Sequence, residues 1–596
     1  MQADTIDTSR QARSWRRCAA QLGGAAGCLA LIAFVAYRLF DGITIVGIDG
    51  VDTFTYLDDT LALLHPNADA ARLLPPGESV HRIATFALDL FALKLLGVND
   101  YAIRAVVGAA QLLSIGLVYL LGLRVSRNPL LALAAAILYG LNRWTLVYAR
   151  TELPHVYAVL FVLLATHCAL SAIGEGAGRR LRAVATAGAG FFAADAAAAH
   201  EDLILFALGL ALTAAAMIVA AARGRGRRAP VAWLAGLFAV GFAAGIAWPM
   251  LATGIGPRRL AADLLSFQAG MDANTAARTG HSLASFLALV PRRVFGELGF
   301  NLIGFPLVVL TAAVILAAPF RRLAGSDRRR RGVLFLAAIS LFYLVTFVFV
   351  VRVYLEGDYA RILLPLLGPM LVLTLAGGAE LAAAALRPLA GGAAAAPLAV
   401  AVCLGLALPT LSPSGLPAPS LAPSVHRQLY DAANTLASDD RRLMLPACYG
   451  VYRNWVGVGS PIYLGDRAVP VFAADDLRPF DRFVAGNRIR YVVVMSFRAY
   501  RPMTPSADLA KLFATLYGAA LPSAVEQTLQ PVASVRRPSA WWLSPEAETI
   551  WPGDTRVWWS GEVCDFESAL LTRLLADRGA KIVARLANVG DIYELP

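Results

Sequence analysis

Between residues 20 and 411 the chain repeats one pattern, an apolar run of about 18–25 residues followed by a short loop carrying arginines. Runs of that length and composition have one cheap solution. Inside hydrocarbon each backbone N–H and C=O needs a partner within its own segment, so each run is expected to be a membrane-spanning helix. Composition agrees, with 58 % of the 596 residues hydrophobic and only 16 % charged, against about 25 % charged in soluble domains. The net charge of +12 would suit nucleic acid if the arginines formed one soluble face. They lie between apolar runs instead, as cytoplasmic loops do, and nucleic-acid binding is set aside.

Arg10, Arg13, Arg16 and Arg17 precede a first run reaching about Phe40, long enough to remain as a signal anchor. Residues 1–19 are therefore expected in the cytoplasm, and 20–40 cross from inside to outside. Residues 80–97 are apolar but carry His81, Arg82, Asp89 and Lys94. Spanning there would bury an acid and a lysine, so an amphipathic helix at the outer interface is expected. Further spans are expected near 101–123, 128–147, 154–174, 183–199, 202–222, 230–250, 294–320, 332–351, 361–386 and 391–411. With about eleven spans, Arg124, Arg127, Arg179, Arg180, Arg182, Arg223, Arg321 and the Arg328–Arg331 run all fall inside. Counting 80–97 as a span would put nearly all of them outside. Outer loops are expected at 41–100 and 251–293.

Beyond Pro409 the composition changes. Pro413, Pro417, Pro419 and Pro423 mark a linker, 412–424, and 425–596 has an α/β pattern. Leu443–Leu445, Ile462–Leu464 and Tyr491–Met495 have strand character, with helical stretches near 475–487 and 565–578. An odd number of spans puts this domain outside. The expected class is a multi-pass α-helical protein of the inner or plasma membrane with a C-terminal extracytoplasmic α/β domain. Of six cysteines only Cys448 and Cys564 fall in that domain, where a disulfide and two buried thiols are equally open. No CxxC or Cys/His cluster suggests zinc. Trp541, Trp542, Trp551, Trp558 and Trp559 suit core packing, or aromatic platforms for a sugar.

Polar residues collect where the spans are expected to emerge outside. Asp49 and Asp52 lie in Asp49-Gly-Val-Asp52-Thr-Phe-Thr-Tyr56, just after the first span. Arg143, Arg150, Glu152 and His155 flank the entry to the fourth, and His200, Glu201 and Asp202 the turn between the fifth and sixth. Arg258, Arg259, Asp263 and Gln268 lie in the long loop, and Arg352, Glu356, Asp358 and Arg361 before the tenth. Arginine is scarce on outer faces, and an anionic ligand would account for it, because guanidinium forks match phosphate geometry. Plainer roles stand beside this one: Asp52 as a helix N-cap, Glu152 paired with Arg150 or Arg143, and His200 as a solvated turn residue.

The order of these motifs resembles the GT-C superfamily of polyprenyl-phosphate-sugar glycosyltransferases. The subgroup resembled includes the protein O-mannosyltransferases, the lipid A aminoarabinose transferase and the rhizobial lipopolysaccharide-core transferases. The resemblance runs through the acidic first loop, the interfacial helix, Gly97-Val-Asn-Asp-Tyr-Ala-Ile-Arg104, and Tyr148-Ala-Arg-Thr-Glu-Leu-Pro154. It continues through His200, Arg361-Ile-Leu-Leu-Pro-Leu-Leu-Gly-Pro369 and the appended α/β domain. The family's Asp-Glu with a spaced aromatic is matched by Asp52 and Tyr56, with Thr53 in place of the glutamate and Asp49 as a competing register. Glu152 matches the second acidic position, His200 stands where lysine is usual, and Arg361 keeps the arginine of Arg-Tyr-x-x-Pro.

The resemblance implies inverting transfer of a sugar from a polyprenyl-phosphate donor to a glycan, lipid or protein acceptor at the outer face. Asp52, or Asp49, would be the general base. Arg361, His200 and Arg150 would hold the donor phosphate, and Glu152 and Tyr56 would orient substrate. No cofactor is implied, although the scattered carboxylates leave room for a divalent ion. Two alternatives stand. A flippase or transporter of lipid-linked sugars needs polar groups across the midplane, of which Asp195 is the nearest. A non-catalytic membrane-anchored scaffold fits the missing glutamate at position 53.

Overall fold

The computed structural model describes residues 4–41, 60, 82–97, 101–150, 155–174, 178–200, 203–223, 231–262, 264–265, 303–317, 327–350 and 360–408 of the apolar part. In the C-terminal part it describes 425–438, 440–447, 467–471, 477–495, 501–503, 510–522, 536–537, 548–549, 557–559, 561–587 and 589–596.

The apolar runs form helices. They are α1 (Asp4–Phe40), α2 (Ile83–Leu96), α3 (Ala102–Ser126), α4 (Pro129–Gly140), α5 (Arg143–Arg150) and α6 (His155–Ile173). Then come α7 (Arg179–Ala199), α8 (Leu203–Arg223), α9 (Val231–Thr253), α10 (Phe305–Ala317), α11 (Asp327–Val350) and α12 (Ala360–Ala407). Among the described residues six helical stretches are long and apolar enough to cross a membrane: Cys18–Phe40, Ala102–Ser126, His155–Ile173, Leu203–Ala220, Ala232–Thr253 and Leu363–Gly391. The pair of spans expected at 361–386 and 391–411 is joined end to end in α12. Gly391, at φ 70° and ψ 159°, breaks the helix there, in a region that glycine enters without steric cost.

Two expectations change in detail. The run 128–147 is not one helix but two, α4 and α5, separated at Leu141 and Asn142. Asn142 is the reason: its Oδ1 accepts from the Trp144 N–H at 2.9 Å and starts a new helix, while Thr145 Oγ1 donates to the Tyr139 carbonyl at 2.8 Å. The helix at 80–97 is present as α2, whose 14 residues are too short to span. Its faces are mixed rather than cleanly divided, with Ile83, Phe86, Leu90 and Leu93 buried and Lys94 exposed. Thr85 and Asp89 are buried within the protein, whereas Phe91, Leu95 and Leu96 are exposed.

One contiguous apolar core runs through the bundle. Its tightest seam joins α7 to α9, where a Cβ on Gly190 would strike the Phe238 carbonyl and one on Gly241 the Ala187 carbonyl. The same seam holds Asp195, whose Oδ1 accepts from Trp248 Nε1 at 2.6 Å. Elsewhere buried polar groups pair: Tyr139 OH donates to Gln111 Oε1 at 3.0 Å, and the Thr311 and Thr374 hydroxyls meet at 2.5 Å. At the arginine-rich end Arg124 Nη1 donates to Ser171 Oγ at 2.8 Å and to the His167 carbonyl at 3.1 Å. The His167 carbonyl also accepts from Ser171 Oγ at 2.9 Å, so Arg124 and Ser171 form one small network on α6.

The C-terminal part is α/β. A five-stranded sheet has the order β2-β1-β3-β9-β8, with β1 (Arg442–Leu445), β2 (Ala468–Pro470), β3 (Ile489–Met495), β8 (Lys581–Leu586) and β9 (Gly590–Glu594). β1 is parallel to β2 and β3, and β9 runs antiparallel to both β3 and β8. Two small ribbons pair β4 (Arg501–Met503) with β7 (Val557–Trp559), and β5 (Arg536–Arg537) with β6 (Glu548–Thr549). Helices α13 (Val425–Leu436), α14 (Phe480–Gly486) and α15 (Gly561–Ala576) complete it. The strand expected at Ile462–Leu464 lies outside the described residues, as do Trp541, Trp542 and Trp551. Trp558 and Trp559 belong to β7, opposite Pro502 and Arg501. Tyr430 of α13 packs against both the bundle core and the sheet core, so the two are in contact. Cys564 is disulfide-bonded, whereas Cys18, Cys28, Cys168 and Cys403 are free.

Candidate functional site

Four of the expected site residues, Asp49, Asp52, Tyr56 and Glu152, lie outside the described residues. Arg150 is the last residue of α5, and Arg361 the second of α12. His200 is where the geometry becomes informative. It leaves α7 in an extended conformation, its N–H donating to the Ala196 carbonyl at 3.0 Å, and its own carbonyl accepts from Leu203 N–H as α8 begins. It is only 4 % exposed, so it is not a solvated turn residue.

His200 faces a second histidine. His155, the first residue of α6 and 2 % exposed, has its ring centroid 4.4 Å from that of His200, at 47°. The row continues through Tyr148, 6.0 Å from His155, to Trp144, a further 5.8 Å away. Three helix ends thus meet in one polar-aromatic cluster: the end of α5, the start of α6 and the end of α7. His155 stood in the sequence only as one polar residue near a turn. A usable signal was present, since both histidines mark helix ends expected on the same membrane side.

α2 adjoins this cluster. Tyr157 OH donates to Asp89 Oδ1 at 2.8 Å, with both side chains buried. Burial pushes the Asp89 carboxyl up to about 7, and the Tyr157 hydrogen bond acts in the opposite direction. Thr85 Oγ1 makes a longer bond, 3.4 Å, to the carbonyl of Ala199, the residue before His200. At the start of α3 the buried Arg104 donates through Nη2 to the Leu39 carbonyl at 3.3 Å, placing a cation at the C-terminus of α1, where the helix dipole favours one. Among the described residues no group of three or more His, Cys, Asp or Glu is arranged to hold a metal ion.

A multi-pass helical membrane protein with an appended sheet domain, and with buried imidazoles gathered at one end of its bundle, is the class that fold and site define. No family model and no curated protein matches the chain. Among solved structures, ArnT from Cupriavidus metallidurans bound to undecaprenyl phosphate is similar over 89 % of this chain and 97 % of its own, at 13 % identity and a TM-score of 0.42. The Archaeoglobus fulgidus oligosaccharyltransferase, in a complex with Zn and sulfate, is similar over 88 % of this chain and 73 % of its own, at 13 % identity and a TM-score of 0.39. At these scores the likeness is one of general course.

Proposed function

We propose that this chain is an integral membrane glycosyltransferase that moves a sugar from a polyprenyl-phosphate donor to an acceptor at the extracytoplasmic face, with inversion. The observation that carries this reading is the buried His155–His200 pair, at the end of the bundle away from Arg124. α6 starts at His155 and meets Arg124 at Ser171. Those positions are about 24 Å apart at 1.5 Å per helical residue, a large part of a hydrocarbon core about 30 Å thick. If the arginine-rich end is cytoplasmic, the histidines sit at the outer edge, level with a lipid phosphate. The disulfide at Cys564 suits an oxidising compartment and so favours an extracytoplasmic C-terminal domain.

The chemistry asks for these residue types. Asp52, or Asp49, accepts the proton of an acceptor hydroxyl while that oxygen bonds to the anomeric carbon. The bond from that carbon to the phosphate oxygen breaks on the opposite face, and its electron pair leaves on the polyprenyl phosphate. His200, Arg361 and Arg150 stabilise the growing phosphate charge, an effect strengthened in a low-dielectric cleft. Glu152 and Tyr56 orient the substrate.

Membranes containing the protein, supplied with a labelled polyprenyl-phosphate sugar and an acceptor fraction, are expected to yield labelled acceptor together with free polyprenyl phosphate. Movement of intact lipid-linked sugar between leaflets, with no acceptor and no release of phosphate, would instead establish the flippase. Placement is checked separately. Thr572, exposed on α15, is expected as Thr572→Cys to react with an impermeant maleimide in sealed right-side-out membranes. Protection until permeabilisation would reverse the topology.

A further inference from the structure

We infer that α2 is a clasp that positions the His155–His200 pair, acting through Asp89 and Thr85, neither of which belongs to the proposed reacting groups. Asp89 and Thr85 are four residues apart and so share one face of the helix. From that face each reaches a different half of the pair. Asp89 takes the hydroxyl of Tyr157, two residues beyond His155. Thr85 takes the carbonyl of Ala199, one residue before His200.

The consequence follows from helix rigidity. Tyr157 and His155 lie about 200° apart around α6 at 3.6 residues per turn, so they point in different directions yet rotate together. Fixing the Tyr157 hydroxyl on Asp89 sets the rotation of the first turn of α6, and with it the heading of His155. The Ala199 carbonyl is among the last four of α7, which have no intrahelical donor, and a hydroxyl there holds the helix end from which His200 departs. The two bonds together set the spacing of rings that belong to separate helices, 45 positions apart in the chain. They also explain why Thr85 and Asp89 are buried on a helix whose lysine, Lys94, is exposed. Burying a carboxyl and a hydroxyl is costly unless both are bonded, and here both are.

The functional meaning of the clasp rests on the proposed reading that His200 holds the donor phosphate, so the test has two independent readouts. The first is geometric and uses purified full-length protein in micelles, with diethyl pyrocarbonate modification of His155 and His200 followed by mass spectrometry. Both rings are expected to react slowly in the parent and about tenfold faster in Asp89→Leu and in Thr85→Val, a factor equal to one hydrogen bond. Asp89→Asn, which keeps an oxygen for Tyr157, is expected to restore protection. Should Asp89→Leu fail to fold, Thr85→Val carries this arm, since it exchanges a hydroxyl for a methyl. Equal reactivity in the parent and in Thr85→Val overturns the clasp.

The second readout is affinity for undecaprenyl phosphate. Thr85→Val is expected to weaken binding in the parent and to have no further effect once His200→Ala is present, because it acts through that ring. The same loss in both backgrounds would show a merely structural role and overturn the positioning. If the parent shows no affinity while labelling still responds to Thr85→Val, the clasp stands and the phosphate reading of His200 falls.

Discussion

Asp52→Asn is expected to lower sugar transfer by about 10²–10⁴-fold, the usual worth of general-base help, with the protein still folded and still binding the donor lipid. The substitution discriminates well because asparagine caps a helix about as well as aspartate does. If Asp52 is only an N-cap before the segment that follows it, the change is nearly silent. If it takes the acceptor proton, the carboxamide cannot, and turnover falls while donor affinity holds. Asp49→Asn is the necessary companion, since Asp49 and Asp52 are three positions apart and would share a face if that segment is helical. The assay is transfer of label from a polyprenyl-phosphate sugar, with the binding of undecaprenyl phosphate measured alongside. Loss confined to Asp49→Asn would move the base to the other register. Full transfer in both variants would remove the mechanism and favour the scaffold.

The large features of this fold were legible because they are dictated by solvent. Hydrocarbon demands helices, and the arginines between the runs mark the loops, so α3, α6, α8 and α9 begin and end within a few residues of expectation. The break between α4 and α5 was not legible in the same way. A hydropathy pattern averages over Asn142, whose side chain satisfies the backbone of a new helix and outweighs the apolar residues around it. The burial of Asp89 on α2 was hidden for a different reason. An acid on a short apolar helix faces water unless some other element offers a donor, and that donor, Tyr157, lies 68 positions away. The site was legible in part. His200 was singled out from its place in a turn, but its pairing with His155 is a meeting of helix ends that no spacing in the chain encodes. Cys448 and Cys564 illustrate the same limit. Their count and compartment raised a disulfide without deciding it, and Cys564 is bonded in the fold.

Glu567→Ala is expected to be the most damaging single change in the C-terminal domain. Glu567 is 1 % exposed, and its Oε1 accepts two hydrogen bonds, from the Ala447 N–H at 2.8 Å and from the Tyr517 hydroxyl at 2.5 Å. It thereby joins three elements: α15, the segment leaving β1, and the π-helical turn Phe513–Tyr517. The disulfide-bonded Cys564 lies one turn earlier on α15, and Ser568 donates from the next position to the Met495 carbonyl at the end of β3, which ties the helix to the sheet. Burial and the neighbouring Glu567 carboxylate both hold the Tyr517 hydroxyl well above its ordinary pKa, keeping it a donor. Alanine would strand two buried donors at about 1–3 kcal/mol each. A total of about 2–6 kcal/mol is a large share of the roughly 5–15 kcal/mol that holds a domain together. Glu567→Gln keeps an acceptor oxygen and is expected to cost least, with Tyr517→Phe between the two. The measurement is pulse proteolysis of the full-length protein in micelles along a urea series, following release of the C-terminal domain. Because the two residues share a bond, Glu567→Ala should cost less in a Tyr517→Phe background than in the parent. A midpoint for Glu567→Ala no lower than that of Glu567→Gln would mean that water replaces the carboxylate, and that the three elements are held by packing alone.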